Sequence, residues 1–283
     1  MGGSGQAITR RAALAAGAAS TLALLAACAA PETSAQPVAT TTPPPGRPRP
    51  TAPGAPIPIT VEPPPPPAPD LTKVPAPHEV ITGLPGDGSL LAWTVDDGAS
   101  SAVVGAYAAF AAETGTRLTL FATGSYSSWE DNREALLPLV ASGQVQLANH
   151  TWSHADLTTL DDAGIRDELQ RTHDLIGDLY GVDARPFFRP PYGYYDDRVI
   201  AVAADLGYTT PTLWYGSLSD SGLISEQQIV DLATQWFLPQ HIVIGHLNFD
   251  PVTHVFPELQ AIIAERGLST VTLNDVFSSE MHP

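Results

Sequence analysis

The chain is poor in cysteine and in positive charge. Cys28 is the only cysteine in 283 residues, so no disulfide can form within one chain. Lysine occurs once, at Lys73. Of the 13 basic side chains, 5 lie in residues 1–77, leaving 8 against 27 acidic ones in 78–283, a formal charge of −19. Such a domain repels polyanions, which argues against nucleic acid as a partner; a neutral polysaccharide or a cationic product is compatible with it. Phe, Trp and Tyr are absent from residues 1–77. The stretch from Pro31 to Pro77 instead holds 18 of the 28 prolines. A segment of that composition buries no core and predicts an extended, Pro-rich linker over 29–77. One folded domain is then expected over 78–283, about 205 residues and large enough for a single core.

The first 28 residues read as an export signal. Arg10-Arg11 precede an apolar run from Ala12 to Ala27, which is too short for a stable membrane span. The run ends in Leu25-Ala26-Ala27-Cys28, which resembles a bacterial lipobox with Cys28 as the lipidated residue. Thr9-Arg10-Arg11 resembles a twin-arginine signal, although the usual aromatic after the pair is missing. The expected location is therefore the outer face of the cell membrane, with the membrane as partner through a lipid anchor.

From Ser89 onward, apolar runs alternate with amphipathic segments. Strands are predicted at Ser89–Val95, Arg117–Thr123, Gln144–Ala148, Pro186–Arg189, Tyr208–Trp214, His241–Gly245 and Ser269–Leu273. Helices are predicted at 101–114, 131–142, 161–180, 196–206, 225–236 and 255–266. The alternation predicts an α/β fold with a mainly parallel sheet. About seven strands in so short a domain suit a distorted, incomplete (β/α) barrel; an open doubly wound sheet is the alternative. Asp96-Asp97, His150, Arg189, Trp214 and His246 all fall at the ends of predicted strands, where barrel enzymes gather their chemistry.

Asp96-Asp97-Gly98 closes a buried strand, and His150-Thr151-Trp152-Ser153-His154 follows another. Two histidines four apart and one carboxylate make a three-ligand metal site with open positions, and the second carboxylate is free to act as a base. The segment lacks the glutamate of the metalloprotease helix, which excludes that peptidase class. Arg189-Pro190-Pro191-Tyr192-Gly193 is a rigid turn whose first free N–H belongs to Tyr192, a candidate oxyanion donor. Arg189 can hold a carboxylate through its planar fork. His246 ends a strand and can give a proton to a leaving group.

Taken in order, these pieces resemble the polysaccharide deacetylases, the family 4 carbohydrate esterases, over about residues 89–273. The resemblance implies that Asp97, His150 and His154 hold a divalent metal, most often Zn2+, with Co2+, Mn2+ or Ni2+ as alternatives. It makes Asp96 the base, His246 the acid, Arg189 the residue that holds Asp96, and Asp220 a tuning aspartate. Pro191, Tyr192 and Trp214 would face the substrate. The expected activity is removal of N-acetyl or O-acetyl groups from peptidoglycan, a chitin-like polymer or acetylated xylan, by a monomer. Two positions depart from the family pattern. Ser221 replaces a tryptophan, and Gly245 stands where a leucine usually walls the acetyl pocket. The second departure implies either that Ile244 fills the space or that the pocket is wider and the acyl selectivity relaxed. The rival readings are an acetylxylan-type esterase, a non-catalytic polysaccharide-binding lipoprotein and a non-haem iron oxygenase.

Overall fold

A computed structural model describes residues 69–279. The export signal, Cys28, His282 and most of the Pro-rich segment lie outside the described residues. In chain order the elements are β1 (Val74–Pro75), β2 (Leu90–Asp97), α1 (Ser101–Thr114), β3 (Leu118–Ala122), α2 (Ser128–Asp131), α3 (Arg133–Ala141), β4 (Val145–Asn149), α4 (Asp162–Tyr180), β5 (Phe187–Phe188), α5 (Asp197–Asp205), β6 (Thr210–Pro211), β7 (Gly216–Ser217), α6 (Glu226–Trp236), β8 (His241–His246), α7 (Pro251–His254), α8 (Phe256–Glu265), β9 (Ser269–Thr270), α9 (Leu273–Val276) and β10 (Phe277–Ser278).

The main sheet runs β6-β5-β4-β3-β2-β8-β7, all parallel, with β9 pairing the start of β2. It curls into an incomplete barrel, as the strand and helix alternation predicts. Period-2 alternation on β2 sends Trp93 and Val95 outward, into the layer packed by the helices, and Ala92 inward. The inner cluster also takes Phe121, Ala148, Phe187 and Ile242, and it is plugged from below by Leu273, Val276 and Phe277. Helix ends are set locally: Ser100 caps α1 through Val103 N–H, and Gly115 stops it in the left-handed conformation.

Two expectations are corrected. Of the strand predicted over Tyr208–Trp214 only Thr210–Pro211 forms, as β6 against β5; the next strand, β7, lies beyond it at Gly216–Ser217 and pairs with β8. Between them the sheet is open, and the segment at Ile81–Leu84 bridges the gap through Ile81 to Thr212 and Gly83 to His241. Thr210 and Thr212 donate to the β5 side, and Pro211, with no N–H of its own, only accepts from Ile81 on the other. The domain also begins earlier than residue 78. Val74–Pro75 pair with Phe277–Ser278, and Thr210 donates to the Pro77 carbonyl at 2.7 Å. Proline marks a lack of core, but it does not prevent an edge strand from docking.

Candidate metal centre and active site

The C-terminal ends of β2, β4, β5 and β8 bring the acidic pair, the histidines and Arg189 together. Asp97 lies at the end of β2 with φ 78°, and Gly98 follows at φ 107°. A side chain at 98 would meet the Trp129 ring at 2.7 Å, so glycine is required there for the backbone conformation and for space. Asp97 Oδ1 lies 3.5 Å from His150 Nε2 and 3.4 Å from His154 Nε2. These separations are too long for hydrogen bonds. A tetrahedral ion held at about 2.0–2.1 Å sets its ligand atoms about 3.3–3.4 Å apart, so the three atoms are spaced for a shared cation. Ligand atoms of Asp97, His150 and His154 all fall within 4.8 Å of one another, forming the only such three-residue group found among the described residues.

The surroundings of each ligand support that use. His150 Nδ1–H donates to the Arg189 carbonyl at 2.7 Å, which leaves Nε2 as the free lone pair. Asn248 donates to Asp97 Oδ2 at 2.6 Å and leaves Oδ1 for the cluster. Burial raises the Asp97 carboxyl, but His150, Asn248 and His154 outweigh it and hold it below its usual value. Burial and the neighbouring His150 lower His154, favouring the neutral imidazole that a metal needs. The His-x-x-x-His segment is not helical. Thr151 and His154 both take positive φ, 70° and 60°. Glu168 on α4 ties the loop down by accepting from the N–H groups of Trp152 and Ser153 at 2.9 and 2.8 Å and from the Ser153 hydroxyl at 2.6 Å.

Asp96 faces the same cluster, with Oδ2 3.5 Å from His150 Nε2. Its other oxygen accepts from Arg189 at 2.5 Å. Arg189 has no solvent exposure, and it also donates to Thr94 Oγ1 and to the carbonyls of Thr212 and Leu213. Burial lowers the guanidinium's pKa, and the Asp96 charge works against that shift. The guanidinium lies 4.1 Å from the Phe121 ring and 5.7 Å from that of Trp214. On the adjacent strand His246 registers with Asp96, and its Nδ1–H donates to Asp220 Oδ1 at 2.9 Å. Burial disfavours the His246 cation; the Asp220 bond and the Asp96 charge overcome it and raise the pKa above the ordinary value.

Tyr192 takes φ 60°, and its exposed ring meets His154 edge-on at 4.6 Å. The N–H groups of Gly193 and Tyr194 turn back onto Pro190 and Pro191, leaving the Tyr192 N–H as the turn's donor for a ligand. Pro191 is buried beneath the turn. Tyr194 and Tyr195 are exposed, whereas Trp129 is 1% exposed and donates to the Thr123 carbonyl. Asn248 and Glu168 were not foreseen from sequence; Glu168 looks like any acid on a helix face. Two cavities of about 570 and 250 Å³, sharing Lys73, Asp183 and Asn274, lie at the other end of the barrel and hold none of these groups.

Gly245 does not wall the acetyl pocket. β8 pairs Ile244 with Thr94 and His246 with Asp96, so Ile244 shares the inward face and Gly245 points outward. A Cβ there would meet Leu218 at 3.3 Å and Asp220 Oδ2 at 3.5 Å. The wider pocket is therefore set aside, and with it the expectation of relaxed acyl selectivity.

Asn248→Ala should weaken zinc binding about 10–100-fold without unfolding the domain, because it removes the partner that orients Asp97 and otherwise only a long bond from the Ala99 N–H at 3.3 Å. Competition titration against a chromophoric chelator measures this, and wild-type affinity in the variant would refute the assignment.

Residues 84–211 match the family model described as polysaccharide deacetylase. A 69-residue segment is 51% identical to chitin deacetylase 1 of Cryptococcus neoformans; the match covers 24% of this chain and only 14% of that relative. A family 4 carbohydrate esterase from Streptomyces lividans, solved with acetate, shares 26% identity and superposes with a TM-score of 0.56, covering 65% of this chain and 93% of that one. A pseudoenzyme of the same esterase family from Bacillus anthracis superposes with a TM-score of 0.63 at 19% identity, covering 71% of this chain and 70% of that one. The fold is that of the family 4 carbohydrate esterases, and the matches support a polysaccharide deacetylase domain.

Proposed function

We propose that this chain is a metal-dependent hydrolase that removes acetyl groups from the N-acetylglucosamine units of a neutral, chitin-like or cell-wall polysaccharide. The observation that carries the reading is the complete set of Asp97, His150 and His154, with Asp96 and His246 beside it. A divalent cation held by these three ligands supplies a more acidic water and polarises the acetyl carbonyl. The protein's own groups supply the rest. Asp96, fixed by Arg189, takes a proton from the attacking water. The Tyr192 N–H meets the oxygen that becomes negative. His246, protonated and oriented by Asp220, gives its proton to the departing amine. The acidic domain disfavours anionic polymers and complements the cationic amine product.

The test is acetate release from N-acetylglucosamine oligomers and from acetylated xylan, before and after chelation. Release from the amide substrate, its loss with chelator and its return with Zn2+, Co2+, Mn2+ or Ni2+ are expected. Release only from the xylan would move the assignment to an ester hydrolase. Polymer binding without any acetate release would make the chain a non-catalytic binder; the Bacillus anthracis relative is named a pseudoenzyme.

His246 acts as the cation, and its pKa is raised. Activity should therefore fall as pH rises, with the fall lying above the range of an ordinary imidazole. Asp220→Asn removes the raising partner and should shift the alkaline fall toward lower pH. A pH–rate profile identical in both proteins would oppose the role given to Asp220.

Export and Cys28 lipidation belong to the same proposal, with the domain displayed outside the membrane to reach its polymer. Radiolabelled palmitate incorporated by the wild type and lost in Cys28→Ser is the expected result. Among the described residues no helix is long and apolar enough to cross a membrane.

A further inference from the structure

Behind the His246–Asp220 pair, on the outward side of the sheet, lies a buried polar site that the mechanism above does not use. Trp93 on β2, Tyr107 on α1 and Asp220 are each at most 2% exposed. The indole N–H of Trp93, the hydroxyl of Tyr107 and Oδ2 of Asp220 have no hydrogen-bond partner in the protein. Two of these atoms converge on Gly245. A methyl group there would lie 3.5 Å from Asp220 Oδ2 and 3.6 Å from Trp93 Nε1. The Trp93 and Tyr107 rings pack edge-on at 5.8 Å. The Tyr107 hydroxyl's pKa is raised well above its usual value, first by burial and then by the charge of Asp220. Orphaned buried polar atoms are uncommon, and two facing one glycine, with a third on the ring packed against Trp93, call for a shared partner.

Resting on the reading of His246 as the proton donor, we propose that Trp93 and Tyr107 are positioning residues for the His246–Asp220 pair, acting on Asp220 Oδ2 through one buried water over Gly245. Such a water accepts from the indole, donates to Oδ2 and exchanges a hydrogen bond with the phenol, the three-partner arrangement usual for buried water. With Oδ2 fixed from behind, Oδ1 stays on His246 Nδ1 and the imidazole keeps its Nε2 toward the leaving group. Glycine at 245 is then required for the space it leaves.

The leaving group provides the test. The amine of N-acetylglucosamine must be protonated to depart, whereas 4-nitrophenolate need not be. Full-length Tyr107→Phe, Trp93→Phe and Gly245→Ala are compared with His246→Ala on an N-acetylglucosamine oligomer and on 4-nitrophenyl acetate. Tyr107→Phe removes only a hydroxyl, and Gly245→Ala only fills the water's space, so both should fold. In each, kcat on the amide should drop about tenfold relative to kcat on the aryl ester, with KM little changed. Equal losses on both substrates, or no change in Tyr107→Phe and Gly245→Ala while His246→Ala discriminates, would overturn the positioning role alone. Failure of His246→Ala to discriminate between the leaving groups would overturn the acid assignment and this inference with it.

Discussion

Asp96→Asn should lower kcat for acetate release by about 10²–10⁴-fold, the range for loss of a positioned general base. Asparagine keeps the shape of the side chain and an oxygen for Arg189, but it cannot take the proton. The metal ligands are untouched, because Asp97, His150 and His154 form their cluster without Asp96. Zinc stoichiometry by mass spectrometry and oligosaccharide affinity by calorimetry should therefore match the wild type. This separation of binding from turnover distinguishes an enzyme from a polysaccharide-binding protein on the same scaffold. A variant retaining more than about a tenth of wild-type kcat would remove Asp96 from the mechanism.

The largest stability change is expected at Arg189. Its guanidinium is fully enclosed and donates to the Asp96 carboxylate, Thr94 and two backbone carbonyls. Arg189→Leu leaves the Asp96 charge enclosed without its partner, at a loss of about 3–5 kcal/mol. For a domain of this size that corresponds to a melting temperature lower by about 10–15 °C. Arg189→Lys should recover little, since a single ammonium cannot serve four acceptors in a fork. Removing both charges in Asp96→Leu/Arg189→Leu should restore stability relative to Arg189→Leu, because neither charge is then stranded. Calorimetric melts of the wild type, Arg189→Leu, Asp96→Leu and the double variant give the coupling. A double variant no more stable than Arg189→Leu would mean that the pair contributes through packing rather than charge.

The two predictions rest on parts of the chain that were legible to different degrees. Asp96-Asp97, His150 and His154 stood out by spacing, since adjacent residues at a strand end point apart and two histidines four apart can converge; which acid binds and which acts as base came from the family resemblance. Their convergence does not come from a helix; it depends on the positive φ of Thr151 and His154 and on Glu168, and no local pattern signals either. Tyr208–Trp214 read as one strand, yet only Thr210–Pro211 pairs within it, and the sheet resumes at Gly216–Ser217 on the other side of the opening. Gly245 was misread for a related reason. Its position before His246 was known, but which face of β8 it occupies follows from the register with Thr94 and Asp96.

What the sequence determined by itself was chemical inventory and local periodicity: the acids, the histidines, the alternation of strands and helices, and the absence of any covalent crosslink. These depend on neighbours a few residues apart. Tertiary structure decided how Arg189 meets Asp96 across 93 positions, how Asn248 meets Asp97 across 151, and which side of the sheet holds Trp93, Tyr107 and Asp220. Those meetings depend on strand order and register, which follow from packing the whole domain at once.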